Sequence, residues 1–201
     1  MKKLVSLLCF ALLALVSSLS FIADEHKTLP IGSPAPDFKL LGVDGKTYTL
    51  ASFKDAKILV VVFMCNHCPY VKAKIKDIVN LQSKFDKENL QVVGINSNDP
   101  DYEDEGFNNM INFSKNYSLN FPYLIDDTQK IAKEYGAVCT PDPFLFNADK
   151  KLVYHGKIND ALEPNSSPTY DTMEENIKKL LKGQKIEKEF DPSIGCSIKW
   201  K

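Results

Sequence analysis

Two cysteines stand two residues apart in Cys65-Asn66-His67-Cys68, a spacing that lets one thiolate attack a disulfide while the other takes over the bond, with no cofactor required. Before the pair lies an almost wholly apolar, Val-rich run, Lys57 to Phe63. After it, Pro69 opens a stretch whose apolar residues recur at helical spacing. The pair therefore falls in a strand-to-helix turn, where the free amides and positive dipole end of the first helical turn can stabilise a thiolate on Cys65. A protonated His67 inside the loop adds to this. Stabilising the thiolate favours the dithiol form and makes the disulfide oxidising, which points to a donor of disulfides. The same spacing occurs in permanent disulfides and in zinc sites. A zinc site needs four ligands, and no second close pair follows, because Cys139 and Cys196 stand alone. A strand-to-helix turn is a poor permanent staple, so redox exchange ranks ahead of both, with no metal and no cofactor-binding residue assigned.

The elements that must hold this turn are legible in the pattern. Pro34 and Pro36 forbid helix at the start of the domain, and Asp44-Gly45 between Lys39-Leu40-Leu41 and the arm Thr47 to Leu50 signals a hairpin. Lys57 to Phe63 reads as a central strand buried on both faces. Val71, Ile75, Ile78, Val79, Leu81 and Phe85 form one face of a helix over Pro69 to Asn89, with Pro69 in the first turn. A strand at Gln91 to Asn96, a polar acidic loop at Ser97 to Glu105, a helix at Phe107 to Tyr117 and a strand at Tyr123 to Ile125 follow. Asp127 or Thr128 can cap a short helix ending near Tyr135-Gly136. Phe144 to Phe146 and Leu152 to His155 form an antiparallel hairpin, and Asp171 caps a last helix through Leu181 that stops at Gly183. A nonhelical tail runs through Pro192 and Gly195-Cys196 to Trp200.

These residues carry a resemblance over Leu29 to Lys201. The opening Gly32-Ser33-Pro34-Ala35-Pro36-Asp37-Phe38, the centre Cys65-Asn66-His67-Cys68-Pro69-Tyr70-Val71-Lys72, and the later Cys139-Thr140-Pro141-Asp142-Pro143-Phe144 and Gly195-Cys196-Ser197-Ile198-Lys199-Trp200 resemble a thioredoxin-like redoxin. The group is the peroxiredoxin-like one of the alkyl hydroperoxide reductase and thiol-specific antioxidant (AhpC/TSA) family. The resemblance implies an α/β thioredoxin fold, a central mixed β-sheet flanked by helices with an N-terminal β-hairpin extension. It implies that Pro141 is a cis-proline facing the cysteines across a substrate groove and that the Thr140 backbone pairs with substrate. Cys65 and Cys68 are then the catalytic pair, supported by His67, Thr140 and Pro141.

Departures from the family limit what carries over. Aligning Cys68 with the peroxidatic cysteine puts Val61 where the peroxidase motif has proline and Cys65 where it has threonine, and the chain contains no Arg to polarise a peroxide. A thiol-dependent peroxidase therefore ranks second. A copper-binding chaperone using Cys65, Cys68 and His67 or His155 ranks third. No buried acid that would deprotonate the second cysteine is evident. Lys72 could relay a proton there, although a solvent-facing helical lysine is the commoner case.

The remaining candidates are open or structural. Cys139, two residues before Pro141, is either an additional redox group or a core thiol. Cys196 on the tail can pair with Cys139, resolve Cys65 or stay free. The loop Asp99 to Glu105 matches no calcium pattern and reads as solvated. Phe144, Phe146 and Tyr154 read as core, His155 as a strand-end residue. A net charge of -1 with lysines interspersed among acids excludes broad attraction to nucleic acid. The expected partner is a protein or small molecule bearing a thiol or disulfide, served by a thiol-based electron donor or acceptor. Lys2-Lys3 and the uncharged run Leu4 to Ala23 form a secretory-signal pattern, with cleavage placed after Ser20. The run is also long enough to anchor the chain in a bilayer of ~30 Å hydrocarbon thickness, so membrane contact is expected only if it stays uncleaved. The organisation read is 1–23 as signal, 24–32 as linker and 33–201 as an exported domain, periplasmic or secreted.

Overall fold

The computed structural model describes residues 28–201; the signal segment and His26 of the linker lie outside the described residues. The sheet is built around β3 (Ile58–Phe63), whose six residues are all buried. β-Branched and aromatic side chains suit a strand covered on both faces, and its period-two alternation divides the interior. Ile58, Val60 and Val62 join one core cluster; Leu59, Val61 and Phe63 join the other. β3 pairs in parallel with β4 (Leu90–Asn96) and antiparallel with β7 (Asp142–Phe146), which pairs antiparallel with β8 (Leu152–Gly156).

The N-terminal hairpin β1 (Lys39–Gly42) and β2 (Thr47–Thr49) forms around Asp44-Gly45 as expected and joins the sheet through β5 (Tyr123–Ile125). With β9 (Phe190–Asp191) at the far edge, the order of the eight strands is β2-β1-β5-β4-β3-β7-β8-β9. The helices α1 (Pro69–Lys84), α2 (Phe107–Asn116) and α4 (Thr172–Leu181) bury their apolar faces in the first cluster. The short α3 (Lys130–Tyr135) lies in the second, where Tyr135 meets Phe63 and Phe144 edge-on at 5.3 and 5.5 Å. This β-α-β unit joined to a β-β-α unit is the thioredoxin fold, with the expected hairpin extension.

Three local expectations are corrected. The helix expected to reach Asn89 ends at Lys84. Phe85 leaves helical geometry, a single 3-10 turn spans Asp86–Glu88, and Asn89 adopts a left-handed conformation that directs the chain into β4. Asn tolerates that conformation well, and its Nδ2 donates to the Asp55 carbonyl at 2.6 Å. The N-cap position of α3 is Gln129 rather than Asp127 or Thr128, while the Thr128 hydroxyl accepts from Lys130 N at 3.4 Å. The carboxylate that reaches the α3 amides is the buried Asp126, which accepts from Ala132 N at 3.0 Å and from Ser97 Oγ at 2.8 Å. Asp171 does precede α4, but its side chain makes no capping hydrogen bond.

The tail is not loose. Two further short strands, β6 (Cys139–Thr140) and β10 (Cys196–Ser197), form a second, two-stranded sheet. At the edge of the large sheet β9 lies so close to β8 that a Cβ on Gly156 (φ +144°) would fall 1.8 Å from the Asp191 carbonyl oxygen. Gly156→Ala is expected to lower the unfolding free energy by about 2 to 4 kcal/mol through backbone strain and overpacking, read from the denaturant midpoint. An unchanged midpoint would show that β9 is not packed against β8.

Candidate active site

Met64 N donates to Ile95 O at 2.8 Å and carries the β3 ladder one step past the strand. The chain then turns through Cys65-Asn66-His67, and Cys68 becomes the N-cap residue of α1 with Pro69 at the first helical position. Both cysteines have no exposed surface. Cys65 Sγ lies 3.1 Å from Thr140 Oγ1. Cys68 Sγ lies 3.2 Å from the Thr140 carbonyl oxygen and 2.8 Å from Cys196 Sγ. The Thr140-Pro141 bond is cis, as the resemblance implies. Four of the residues named from sequence, Cys65, Cys68, Thr140 and Cys196, thus converge, with Pro141 adjoining them.

The surroundings of the two sulfurs differ. Cys68 is pushed far below the ordinary thiol range by the hydrogen bond from Cys65, which outweighs burial; Cys196 and the amides of Val71 and Cys196 add to this. Cys65 is pushed up by its hydrogen bond to Cys68, by burial and by the charge of Glu105. The two sulfurs share a proton, and when Cys68 carries it the Thr140 carbonyl oxygen, 3.2 Å away, accepts from it. Being the N-cap residue, Cys68 is the sulfur that faces the first-turn amides, whereas Cys65 precedes it and faces a carboxylate.

That carboxylate corrects an expectation. Glu105, in the loop read as solvated, has a fully buried side chain. Its Oε2 accepts from Asn66 N at 3.0 Å and Asn96 Nδ2 at 2.8 Å; its Oε1 accepts from His67 N at 3.2 Å and meets His67 Nδ1. Burial drives the carboxyl upward, but these hydrogen bonds outweigh it and hold Glu105 below its ordinary value. A buried acid beside the pair therefore exists. Nothing local in the sequence marks it, since the loop's composition is that of a solvated turn. His67 is correspondingly not aimed at a sulfur: its ring is held by Glu105 and lies 5.2 Å from the Tyr102 ring. Asn66, also missed, donates from Nδ2 to Asp104 O at 2.7 Å and accepts from Tyr123 OH at 2.9 Å.

The other candidates fall outside this centre. Cys139 is half-buried in β6, its Sγ 3.8 Å from the Pro141 carbonyl oxygen, and burial and then the Asp142 charge push its thiol up, which favours the protonated core thiol. His155 Nε2 contacts Asp142 Oδ1 at 2.7 Å while its ring stacks on Phe144 at 4.1 Å. Lys72 faces solvent. Donor atoms of Cys65, His67 and Glu105 lie within 4.8 Å of one another and could meet a metal ion. Both Glu105 oxygens and His67 Nδ1 are already engaged in holding the turn, so binding there would break it.

Glu105→Gln is expected to cost about 2 to 4 kcal/mol of stability at neutral pH, because buried donors lose a charged acceptor. Since the folded-state value of Glu105 is depressed, its contribution is present above the ordinary carboxylate value of 4.5 and is lost as pH falls through the lower folded value. Denaturant unfolding across acid pH should show the wild-type protein losing this increment and the variant lacking it. Ultraviolet thiolate absorbance of the reduced protein at neutral pH should vanish in Cys68→Ser and persist in Cys65→Ser, whose hydroxyl can still donate to Cys68. The opposite result would place the thiolate on Cys65.

Comparison with known proteins agrees with this geometry. The thiol-disulfide oxidoreductase ResA of Bacillus thuringiensis subsp. konkukian is 26% identical over 156 residues, covering 78% of this chain and 82% of that protein. The chloroplastic peroxiredoxin Q of Populus jackii is 30% identical over 138 residues, 66% of this chain and 62% of that protein. A solved structure of a hypothetical protein from Sinorhizobium meliloti 1021 superimposes with a TM-score of 0.82 at 37% identity, over 87% of this chain and 97% of that one. The AhpC/TSA family model matches residues 31–155, from the start of the described domain through the cysteine turn and into β8. With the fold and this match in hand, the chain belongs to the AhpC/TSA family.

Proposed function

We propose that the protein is an exported thiol-disulfide oxidoreductase that passes the Cys65–Cys68 disulfide to thiol partners. The observation that carries this reading is two buried sulfurs at a strand-to-helix turn, with Thr140 of the cis Thr140-Pro141 bond 3.1 Å from Cys65 Sγ and 3.2 Å from Cys68 Sγ; the Cys68 thiol is also pushed down. A low-pKa sulfur is a good leaving group in exchange. In the forward direction a partner thiolate attacks the Cys65 sulfur, the Cys65–Cys68 bond breaks, and Cys68 departs as the stabilised thiolate. A second partner thiol, deprotonated, attacks the partner sulfur of the mixed disulfide; Cys65 leaves and takes up a proton. The partner gains a disulfide and the pair becomes the reduced, singly protonated form described above. Thr140 Oγ1, 3.1 Å from Cys65 Sγ, is placed to hydrogen-bond that sulfur as it leaves. Pro141 adjoins it, and His67 acts through Glu105 by holding the turn.

The similarity to ResA supports this reaction class, and the pattern of Met1 to Ala23 supports export. Among the described residues no helix is long and apolar enough to cross a membrane. Peroxide reduction ranks below exchange, because the chain has no Arg and the Glu105 carboxylate beside the buried pair opposes a developing oxyanion. The oxidised wild-type protein should convert a dithiol peptide to its disulfide and end with Cys65 and Cys68 reduced, and Cys65→Ser or Cys68→Ser should lose transfer by way of that pair. Exchange that survives both single substitutions would overturn the proposal.

A further inference from the structure

The reduced pair is covered by the protein's own C-terminal segment. β10 pairs antiparallel with β6 in the register Cys196 opposite Thr140 and Ser197 opposite Cys139. In the two-stranded sheet so formed, β10 is the sole neighbour of β6 among the described residues. Gly195 makes this approach possible, since a Cβ there would fall 2.2 Å from the Thr140 carbonyl oxygen. Beyond it the segment is fastened. Ile198 is buried in the second core cluster and its amide donates to Val138 O at 3.2 Å. The Lys199 carbonyl accepts from Asp99 N and Gln129 Nε2, each at 2.8 Å, and Lys199 N donates to Asn98 Oδ1 at 2.9 Å. The backbone edge beside the cysteines, where an extended peptide could add as a strand, is thus occupied by a strand of this same chain whose own cysteine sits 2.8 Å from Cys68 Sγ. A disulfide spans about 2.05 Å, so the two sulfurs need to close by less than an ångström.

We infer that β10 is a built-in partner strand and that Cys196 is a third exchanging cysteine, so that the oxidised protein holds one disulfide in two isomeric forms, Cys65–Cys68 and Cys68–Cys196. This rests on the exchange reading of Cys65 and Cys68 and adds to it a resident intramolecular thiol. In the step, the Cys196 thiolate attacks the Cys68 sulfur, the Cys68–Cys196 bond forms, and the Cys65–Cys68 bond breaks. Cys65 leaves as a thiolate and accepts the proton that Cys196 gave up. Two thiol sulfurs and one proton exchange places, and no external oxidant or reductant is consumed. The proton's destination suits the site, because Cys65 is the sulfur on which burial and Glu105 favour protonation. A partner peptide must displace β10 to reach the β6 edge, and the Cys68–Cys196 form staples that edge shut until a thiol reopens it.

The test equilibrates the full chain with glutathione over a series of redox poises, blocks free thiols, digests without reduction and maps the linkages. The Cys65–Cys68 bond appears within one peptide and the Cys68–Cys196 bond as a cross-link between two. Both are expected. Because they are isomers at one oxidation level, their ratio should stay constant while the total disulfide follows the poise. Gly195→Ala, which pushes β10 off the Thr140 carbonyl, should lower that ratio about tenfold or more without removing the Cys65–Cys68 bond. Cys196→Ser should show only the Cys65–Cys68 bond, a control that does not depend on the alanine variant folding. Recovery of Cys196 fully blocked at every poise while Cys65–Cys68 forms would overturn this inference and leave the proposed function intact. Absence of both linkages would overturn the two together.

Discussion

The site depends on one buried charge. Taking a carboxylate out of water costs several kcal/mol unless its oxygens are met by donors, and Glu105 meets that demand with the amides of Asn66 and His67, the Asn96 side chain and the His67 ring. Because two of those donors are backbone amides between the two cysteines, satisfying the carboxylate also fixes the path of the chain from the end of β3 into α1. That path determines which sulfur meets the helix start. The loop carrying Glu105 is held in turn by the C-terminal segment, through the Asp99 amide to the Lys199 carbonyl. The turn, the loop and the tail therefore form one hydrogen-bonded unit.

The asymmetry of the cysteine pair follows from this arrangement. A negative charge beside Cys65 opposes a second negative charge there, while Cys68 Sγ meets the Cys196 sulfur at 2.8 Å and the Thr140 carbonyl oxygen at 3.2 Å. The division of labour is electrostatic rather than a matter of exposure, since both sulfurs are fully covered. The cover includes the C-terminal segment, whose Cys196 sulfur lies 2.8 Å from Cys68 Sγ, so the tail borders the site as well as completing the fold.

Much of this was legible in the sequence, and what was not had a common cause. The central strand, the helix after the cysteines, the hairpin at Asp44-Gly45 and the β7–β8 hairpin all carry their own periodicity or turn residues, and they appear where those signals place them. Thr140 and Cys196 were named from motif likeness, and the structure brings both to the pair. Glu105 was missed because a charged residue in an acidic loop carries no mark of burial; it is buried by Asn96, Asn66 and His67, the nearest of them nine residues away. The dipole argument locates the helix start only to within a turn, and the structure puts Cys68 at the cap. The early end of α1 has the same character, with Asn89 closing on Asp55 across the sheet.

The most direct measurement is the equilibrium reduction potential of the Cys65–Cys68 pair against glutathione. Stabilisation of the Cys68 thiolate predicts a reversible two-electron transition at a potential more oxidising than about −270 mV, the value of a reducing thioredoxin. A pair that never cycles, or one that resists reduction until below about −300 mV as structural disulfides do, would contradict the account.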